Sequence, residues 1–185
     1  MLIGLVGKSG VGKTAILREI EKLGYKRVVT DTTRPPREGE ENGVDYFFES
    51  DAEFDEMLNE GEFIETTSYN VATGETWRYG TTRGQLAEVG DKGVIILNPD
   101  GLKAFREKGI NIQIVLIESN EAVVLKRLIA RGDTKEEIER RMEADDRDFE
   151  GISEIVDFSV YNESDSKLDE IAKMIVNLAE TSRYD

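Results

Sequence analysis

The chain has 185 residues, enough for one compact domain with a substantial core. Lys and Arg total 24 against 39 Asp and Glu, and the formal net charge of -15 repels polyanions and anionic membranes unless the basic residues are gathered in one place. With no Cys and no His, disulfides, thiol catalysis and histidine bases are excluded, so any chemistry rests on carboxylates, lysine, arginine, hydroxyls or an exogenous metal.

The apolar run LIGLV (2–6), stopped by Gly7, predicts a strand buried on both faces of a parallel sheet. A helix follows with Ile16, Leu17, Ile20 and Leu23 on one face and Gly24 as its stop, then a second strand over 25–30. The stretch DTTRPPREGEENGVDYFF is too rich in Pro, Gly and charge for a regular element. Ser50 and Glu53 form a capping box ahead of a helix carrying Phe54, Met57 and Leu58. EFIETTSY and ETWRYGT read as strands around the turn NVATG. The β/α alternation resumes with a strand over 93–98, a helix through Leu102 and Phe105, and a strand over 110–117. A helix from about Ser119 to Arg131 and a second opened by a Thr134/Glu137 capping box come next. A last strand over 156–162 precedes a helix presenting Leu168, Ile171, Ile175 and Leu178. The predicted fold is α/β: a parallel sheet of about five strands flanked by helices. The acid runs EFDEMLNEGE and TKEEIERRMEADDRDFE read as solvated helix faces without function. No apolar segment of about 18 residues occurs, and the chain reads as soluble and cytosolic, a binder neither of membranes nor of nucleic acid.

GKSGVGKT (7–14) fits G-x-x-x-x-G-K-[ST] and lies between a predicted strand and a predicted helix, as that motif requires. Its glycines, Gly7, Gly10 and Gly12, let backbone N–H groups, including those of Ser9 and Val11, turn around phosphate oxygens. Lys13 is expected to reach the β and γ phosphates of ATP, and Thr14 to offer its hydroxyl to Mg²⁺. Lys8 reads as a solvated loop lysine.

TDTTRPPREGEENGVDYFF (30–48) is similar to the guanylate kinase signature S-x-T-T-R-x-x-R-x-x-E-x-x-G-x-D-Y-x-F, with Thr30 in place of Ser. GEFIE (61–65) and YGT (79–81) follow in that family's order, and the resemblance runs from Leu2 to about Leu178. It implies a P-loop kinase that moves a phosphoryl group from ATP to GMP or dGMP with Mg²⁺. It further implies that Arg34, Arg37, Tyr46 and Tyr79 grip the acceptor's phosphate, a role suited to guanidinium forks and phenolic donors. Glu40 would orient an arginine, and Glu65, Thr30 and Thr81 would hold the base. Guanine presents N1–H and an N2 amino group that one carboxylate can accept together, whereas adenine offers a lone pair at N1. RLIARGDTKEEIERRM (127–142) resembles the family's lid, with Arg131 and Arg141 at the positions that reach the transferred phosphoryl group. Arg127 and Arg140 are expected to face carboxylates or solvent. Asn162 falls where the family has an Asn near the donor's adenine. The resemblance thus divides one domain into a core of 1–30, 84–125 and 150–185, an acceptor-binding insertion of 31–83 and a lid of 126–149. Because the acceptor is already ionised, no histidine base is needed.

Two stretches depart from the family pattern. IILNPDG (95–101) places Ile96 and Asn98 where the family has acids that arrange the metal's water shell and the guanine site; Asp100 replaces them only if the loop is reshaped, for which Pro99 gives an opening. The link SYNVATGETWRYG is several residues longer than usual, and Trp77 and Arg78 either reshape the acceptor pocket or belong to a solvent hairpin with Trp77 packed beneath it. Rival readings are a same-fold kinase for a modified deoxynucleotide or ribose 1,5-bisphosphate and a non-catalytic binding module; the presence of Lys13 weighs against the second.

Overall fold

The computed structural model describes residues 1–71 and 74–181. In chain order its first half contains β1 (Leu2–Val6), α1 (Lys13–Lys22), β2 (Lys26–Arg27), β3 (Asp31–Thr32), β4 (Phe47–Phe48), α2 (Asp51–Glu60), β5 (Phe63–Asn70) and β6 (Thr76–Thr82). The second half contains α3 (Arg83–Glu88), β7 (Gly93–Ile96), α4 (Pro99–Glu107), β8 (Ile112–Glu118), α5 (Glu121–Ala130), α6 (Lys135–Asp148), β9 (Phe158–Tyr161) and α7 (Leu168–Thr181).

Five strands form a wholly parallel sheet in the order β2-β7-β1-β8-β9. Successive side chains of a strand point to opposite faces, so β1 sends Ile3 and Leu5 one way and Leu2 and Val6 the other. On the first face they meet Ile16, Leu17 and Ile20 of α1 and Ile171, Ile175 and Ala179 of α7; on the second they meet Leu102 and Phe105 of α4. Burial on both faces explains why the strands read as unbroken apolar runs. The parallel α/β fold read from the sequence is the one observed.

A second sheet, ordered β4-β3-β6-β5, is built from residues between β2 and α3. Its long hairpin pairs Glu65 with Thr81, Thr67 with Tyr79 and Tyr69 with Trp77. One strand expected over 25–30 is instead two short ones, β2 and β3, which belong to different sheets. The chain thereby passes from one sheet to the other within a few residues. The Ser50/Glu53 capping box is present in full, whereas that at Thr134 is half formed. Thr134 accepts the Glu137 N–H, but the Glu137 carboxylate turns to arginines. Helix α3, not expected, opens with a capping box of its own at Thr82 and Gln85. Two residues of the expected turn NVATG, Ala72 and Thr73, lie outside the described residues.

Candidate active site

A cleft of about 980 Å³ opens at the carboxyl ends of the central strands, between the loop after β1 and the second sheet. Gly7, Ser9, Gly10, Gly12, Lys13 and Thr14 line it on one side. No side chain caps α1, so the N–H groups of its first turn are left for a ligand in the cleft, where the helix end favours negative charge. Gly12 has φ +97°, and a Cβ there would come 2.4 Å from Asn162 Nδ2, so both conformation and space demand glycine. Behind the loop, Asn162 Nδ2 and Arg127 Nη1 donate to the Val11 carbonyl at 2.8 and 3.3 Å.

On the opposite wall stand Thr30, Arg34, Arg37, Glu40, Tyr46, Glu65, Tyr79 and Thr81. The Arg34 side chain is only 2% exposed, paired with Glu40 at 2.9 Å and set 5.3 Å from the Tyr46 ring centroid. Glu40 also accepts the Arg37 N–H at 2.8 Å and so fixes the turn between the two arginines. Tyr46 meets Tyr79 edge-on with centroids 6.0 Å apart. Glu65 accepts from Thr81 at 2.7 Å, and burial raises its pKa despite that bond.

Arg131 and Arg141 reach the same cleft from the end of α5 and from α6. Arg131 pairs with Asp133, and Arg141 with Glu137 at 2.6 Å. Hydrogen bonds from Arg140 and Arg141 hold Glu137 down at about 2. Burial lowers Lys13 to about 8; Asp145 opposes the shift, while Arg131 and Arg141 add to it. Burial likewise lowers Arg37, with Arg34, Arg131 and Arg141 contributing. Lys13 and Arg37, on opposite walls, therefore both sense Arg131 and Arg141 across a single cavity, and Arg37 also senses Arg34. Such crowding is unfavourable in an empty site and becomes favourable once an anion of several charges lies between them.

A family model described as guanylate kinase matches residues 1–181. The chain belongs to the guanylate kinase family. It is 33% identical over 189 residues to a guanylate kinase of Prochlorococcus marinus, with 97% of each chain covered. It is 34% identical over 186 residues to one of Symbiobacterium thermophilum, spanning 96% of this chain and 82% of that one. A crystal structure of guanylate kinase from Anaplasma phagocytophilum aligns with a TM-score of 0.72 at 22% identity, over 99% of this chain and 87% of that one, a likeness of fold.

Against the guanylate kinase pattern, most expected site residues share the cleft, but Asn162 is placed elsewhere, Val11 offers only its backbone, and the Ser9 N–H expected to face phosphate is taken by Asp145. Val11 is 3% exposed and packs into the core, leaving only its backbone to the loop. Asn162, expected beside the donor's adenine, is fully buried behind the loop, because its amide satisfies the Val11 carbonyl. Lys8 is not simply solvated: it pairs with Asp146 of α6 at 2.5 Å. Arg127 and Arg140 face carboxylates as expected, Asp165 and Glu137 respectively. The acid run in α6 is more than a solvated face. Glu137 holds Arg140 and Arg141, and Asp145 accepts the Ser9 N–H at 2.6 Å. The spacing of positions 137, 141, 145 and 148 puts them on one helix face, a signal the composition of the run conceals. Pro99 does not reshape the loop after β7; it occupies the first turn of α4, where its fixed φ suits the helix, and Asn98 is the N-cap. Asp100 pairs with Lys103 at 3.3 Å and does not line the cleft. Trp77 lines the cleft, whereas Arg78 lies across Phe54, 4.6 Å from its centroid, and pairs with Asp51 and Asp55.

Proposed function

We propose that the chain transfers the γ-phosphoryl group of ATP to the phosphate of GMP, in one cleft that seats the two nucleotides end to end. The observation that carries this reading is the convergence of Lys13, Arg34, Arg37, Arg131 and Arg141 between an uncapped helix N-terminus and the Tyr46/Tyr79 pair. An acceptor phosphate oxygen attacks the γ phosphorus, the β–γ bridging bond breaks, and ADP leaves with the electron pair. No residue has to remove a proton, because the attacking phosphate, with a second pKa of about 6, is already ionised at neutral pH. The loop N–H groups and Lys13 hold the donor, Lys13 exchanging the Gly7 and Lys8 carbonyls, and Ser9 the Asp145 carboxylate, for phosphate oxygens. Arg34, Arg37, Tyr46 and Tyr79 hold the acceptor's phosphate, and Glu65 with Thr81 and Thr30 holds guanine. Arg131 and Arg141 exchange Asp133 and Glu137 for the phosphoryl group in flight.

Among the described residues no group of three or more carboxylates could hold a metal by itself. That suits a cation that arrives with the triphosphate and keeps most of its water, as Mg²⁺ does, and the exposed Thr14 hydroxyl in the cleft is the group that would hold it. When bound, Mg²⁺ supplies charge neutralisation at the β and γ oxygens. We further assign acceptor binding to 31–83 and closure over the donor to 126–149, the two segments that bring arginines to opposite sides of the transferred group. Closure would exclude the water that otherwise hydrolyses ATP. No helix among the described residues is long and apolar enough to cross a membrane. The nucleotide chemistry suits a cytoplasmic enzyme.

The test is ADP release with GMP, dGMP, AMP, CMP, UMP and ribose 1,5-bisphosphate side by side. Turnover is expected with guanine nucleotides; silence with both, or preference for another acceptor, overturns the assignment. A protein without Mg²⁺-dependent ATP affinity would be a binding module instead.

A further inference from the structure

The roles above account for the acceptor's phosphate and base and leave the sugar between them without a partner. Tyr69 spans that interval. At one end its ring meets Tyr79 edge-on, centroids 5.8 Å apart, next to the phosphate-binding group. At the other its hydroxyl oxygen accepts a 2.6 Å hydrogen bond from Asn98 Nδ2. Asn98 stands beside the base-binding carboxylate: a Cβ added to Gly101 would lie 3.1 Å from Asn98 Oδ1 and 3.3 Å from Glu65 Oε2. Along β5 the residues Glu65, Thr67 and Tyr69 share one face of the strand, and all three line the cleft.

The direction of the Tyr69 bond is fixed by the helix that follows. Asn98 Oδ1 caps α4 by accepting the Gly101 N–H at 2.6 Å, so the amide nitrogen must face the phenol. The phenolic oxygen is therefore the acceptor in that bond and its own proton points elsewhere. Among the described residues no group takes that proton. Burial pushes the hydroxyl above its ordinary value, so it keeps the proton at neutral pH. A donor held at a fixed position between the phosphate and base subsites is what a sugar hydroxyl would meet.

We infer that Tyr69, oriented by Asn98, donates to the 2′-oxygen of the acceptor's ribose and makes the chain favour GMP over dGMP. The inference rests on the proposed GMP kinase reading, and it makes Tyr69 a specificity-determining residue and Asn98 its positioning residue. One neutral hydrogen bond corresponds to about tenfold in kcat/KM.

The experiment compares kcat/KM for GMP and dGMP in the wild type, Tyr69→Phe and Asn98→Asp, with titration of both nucleotides as a second readout. The wild type is expected to prefer GMP about tenfold. Tyr69→Phe should lower the GMP value about tenfold and the dGMP value by less than twofold. Asn98→Asp keeps the helix cap but offers a carboxylate to the phenol, which then turns its proton away from the sugar; the same preference should vanish although Tyr69 is intact. A wild-type ratio of one, or a ratio that survives Tyr69→Phe, overturns the inference while leaving the kinase reading in place. A gain of GMP activity in Tyr69→Phe would mean that the ring excludes the 2′-hydroxyl, and also overturns it. Failure with both nucleotides refutes the kinase reading and this inference with it.

Discussion

Replacing Glu65 by Gln tests base recognition with the least disturbance of shape. The carboxylate has two oxygens: Oε1 takes the Thr81 hydroxyl at 2.7 Å, and Oε2 faces the space above Gly101. Guanine's N1–H and N2 amino group would share them. Gln keeps one oxygen and turns an amide N–H toward the second donor. The change removes one charge-assisted hydrogen bond and leaves a donor facing a donor, a loss of about 3 kcal/mol or roughly a hundredfold in kcat/KM for GMP. AMP, whose N1 offers a carboxylate no N–H, should lose nothing. Stability should hold, because burial already raises the Glu65 pKa and a neutral side chain escapes that penalty while retaining the Thr81 bond. A coupled assay of ADP release with both nucleotides from pH 5 to 8, run beside thermal unfolding, reads every part. In the wild type the preference for GMP should weaken on the acid side as Glu65 gains a proton, starting above the usual carboxylate range; in the variant that dependence should be gone. An unchanged GMP to AMP ratio refutes the reasoning, and a large fall in unfolding temperature would show Glu65 to be a structural group.

Asp31, buried and bonded to Gln85 at 2.7 Å, has its pKa raised to about 6, chiefly by burial. The folded state then holds a proton that the unfolded chain has released between about pH 4 and 6, so this contribution to stability is complete below pH 4 and is lost as pH rises through 6. Asp31→Asn should gain about 1 kcal/mol at pH 7.5, after allowance for screening, and flatten that slope in urea unfolding curves. Arg78→Ala removes exposed pairs with Asp51 and Asp55 and the contact with Phe54, costing about 1–2 kcal/mol in urea while kcat/KM for GMP stays within twofold. Lys13→Ala should cut kcat by about 10²–10³ through lost transition-state charge; it gives up the bonds from Lys13 Nζ to the Gly7 and Lys8 carbonyls at 2.5 and 3.0 Å but also removes a buried charge, so the unfolding temperature should shift little. In the wild type, ATP binding should weaken as pH rises past about 8, where Lys13 loses its proton, and the variant should lack that limb.

The core was legible because its strands are apolar on both faces and its helices carry clear stripes, as Ile16, Leu17 and Ile20 show. The glycine loop was legible because its conformation demands glycine at fixed places, as the positive φ at Gly10 and Gly12 shows. Legibility failed where a residue's neighbours are remote in sequence. Asn162 looks like a loop asparagine until the fold brings it beneath Val11, 151 positions away. Asp145 looks solvated until α6 crosses the loop at Ser9. Against the family pattern Asn98 stands in place of an acid, yet the Pro that follows it marks a helix start, and the cap it provides is visible in the local sequence. Tyr69 gave no signal at all, since an aromatic at a strand position is the ordinary filling of a sheet face.

Asn162 sits just past β9, the outermost strand, and Arg127 joins the same carbonyl from α5. The margin of the sheet and the glycine loop are thus fastened together, and on the proposed reading fraying at that border should loosen the grip on ATP. Conversely, a nucleotide seated in the cradle steadies the periphery, so occupancy should slow amide exchange along β9 as well as in the glycines themselves.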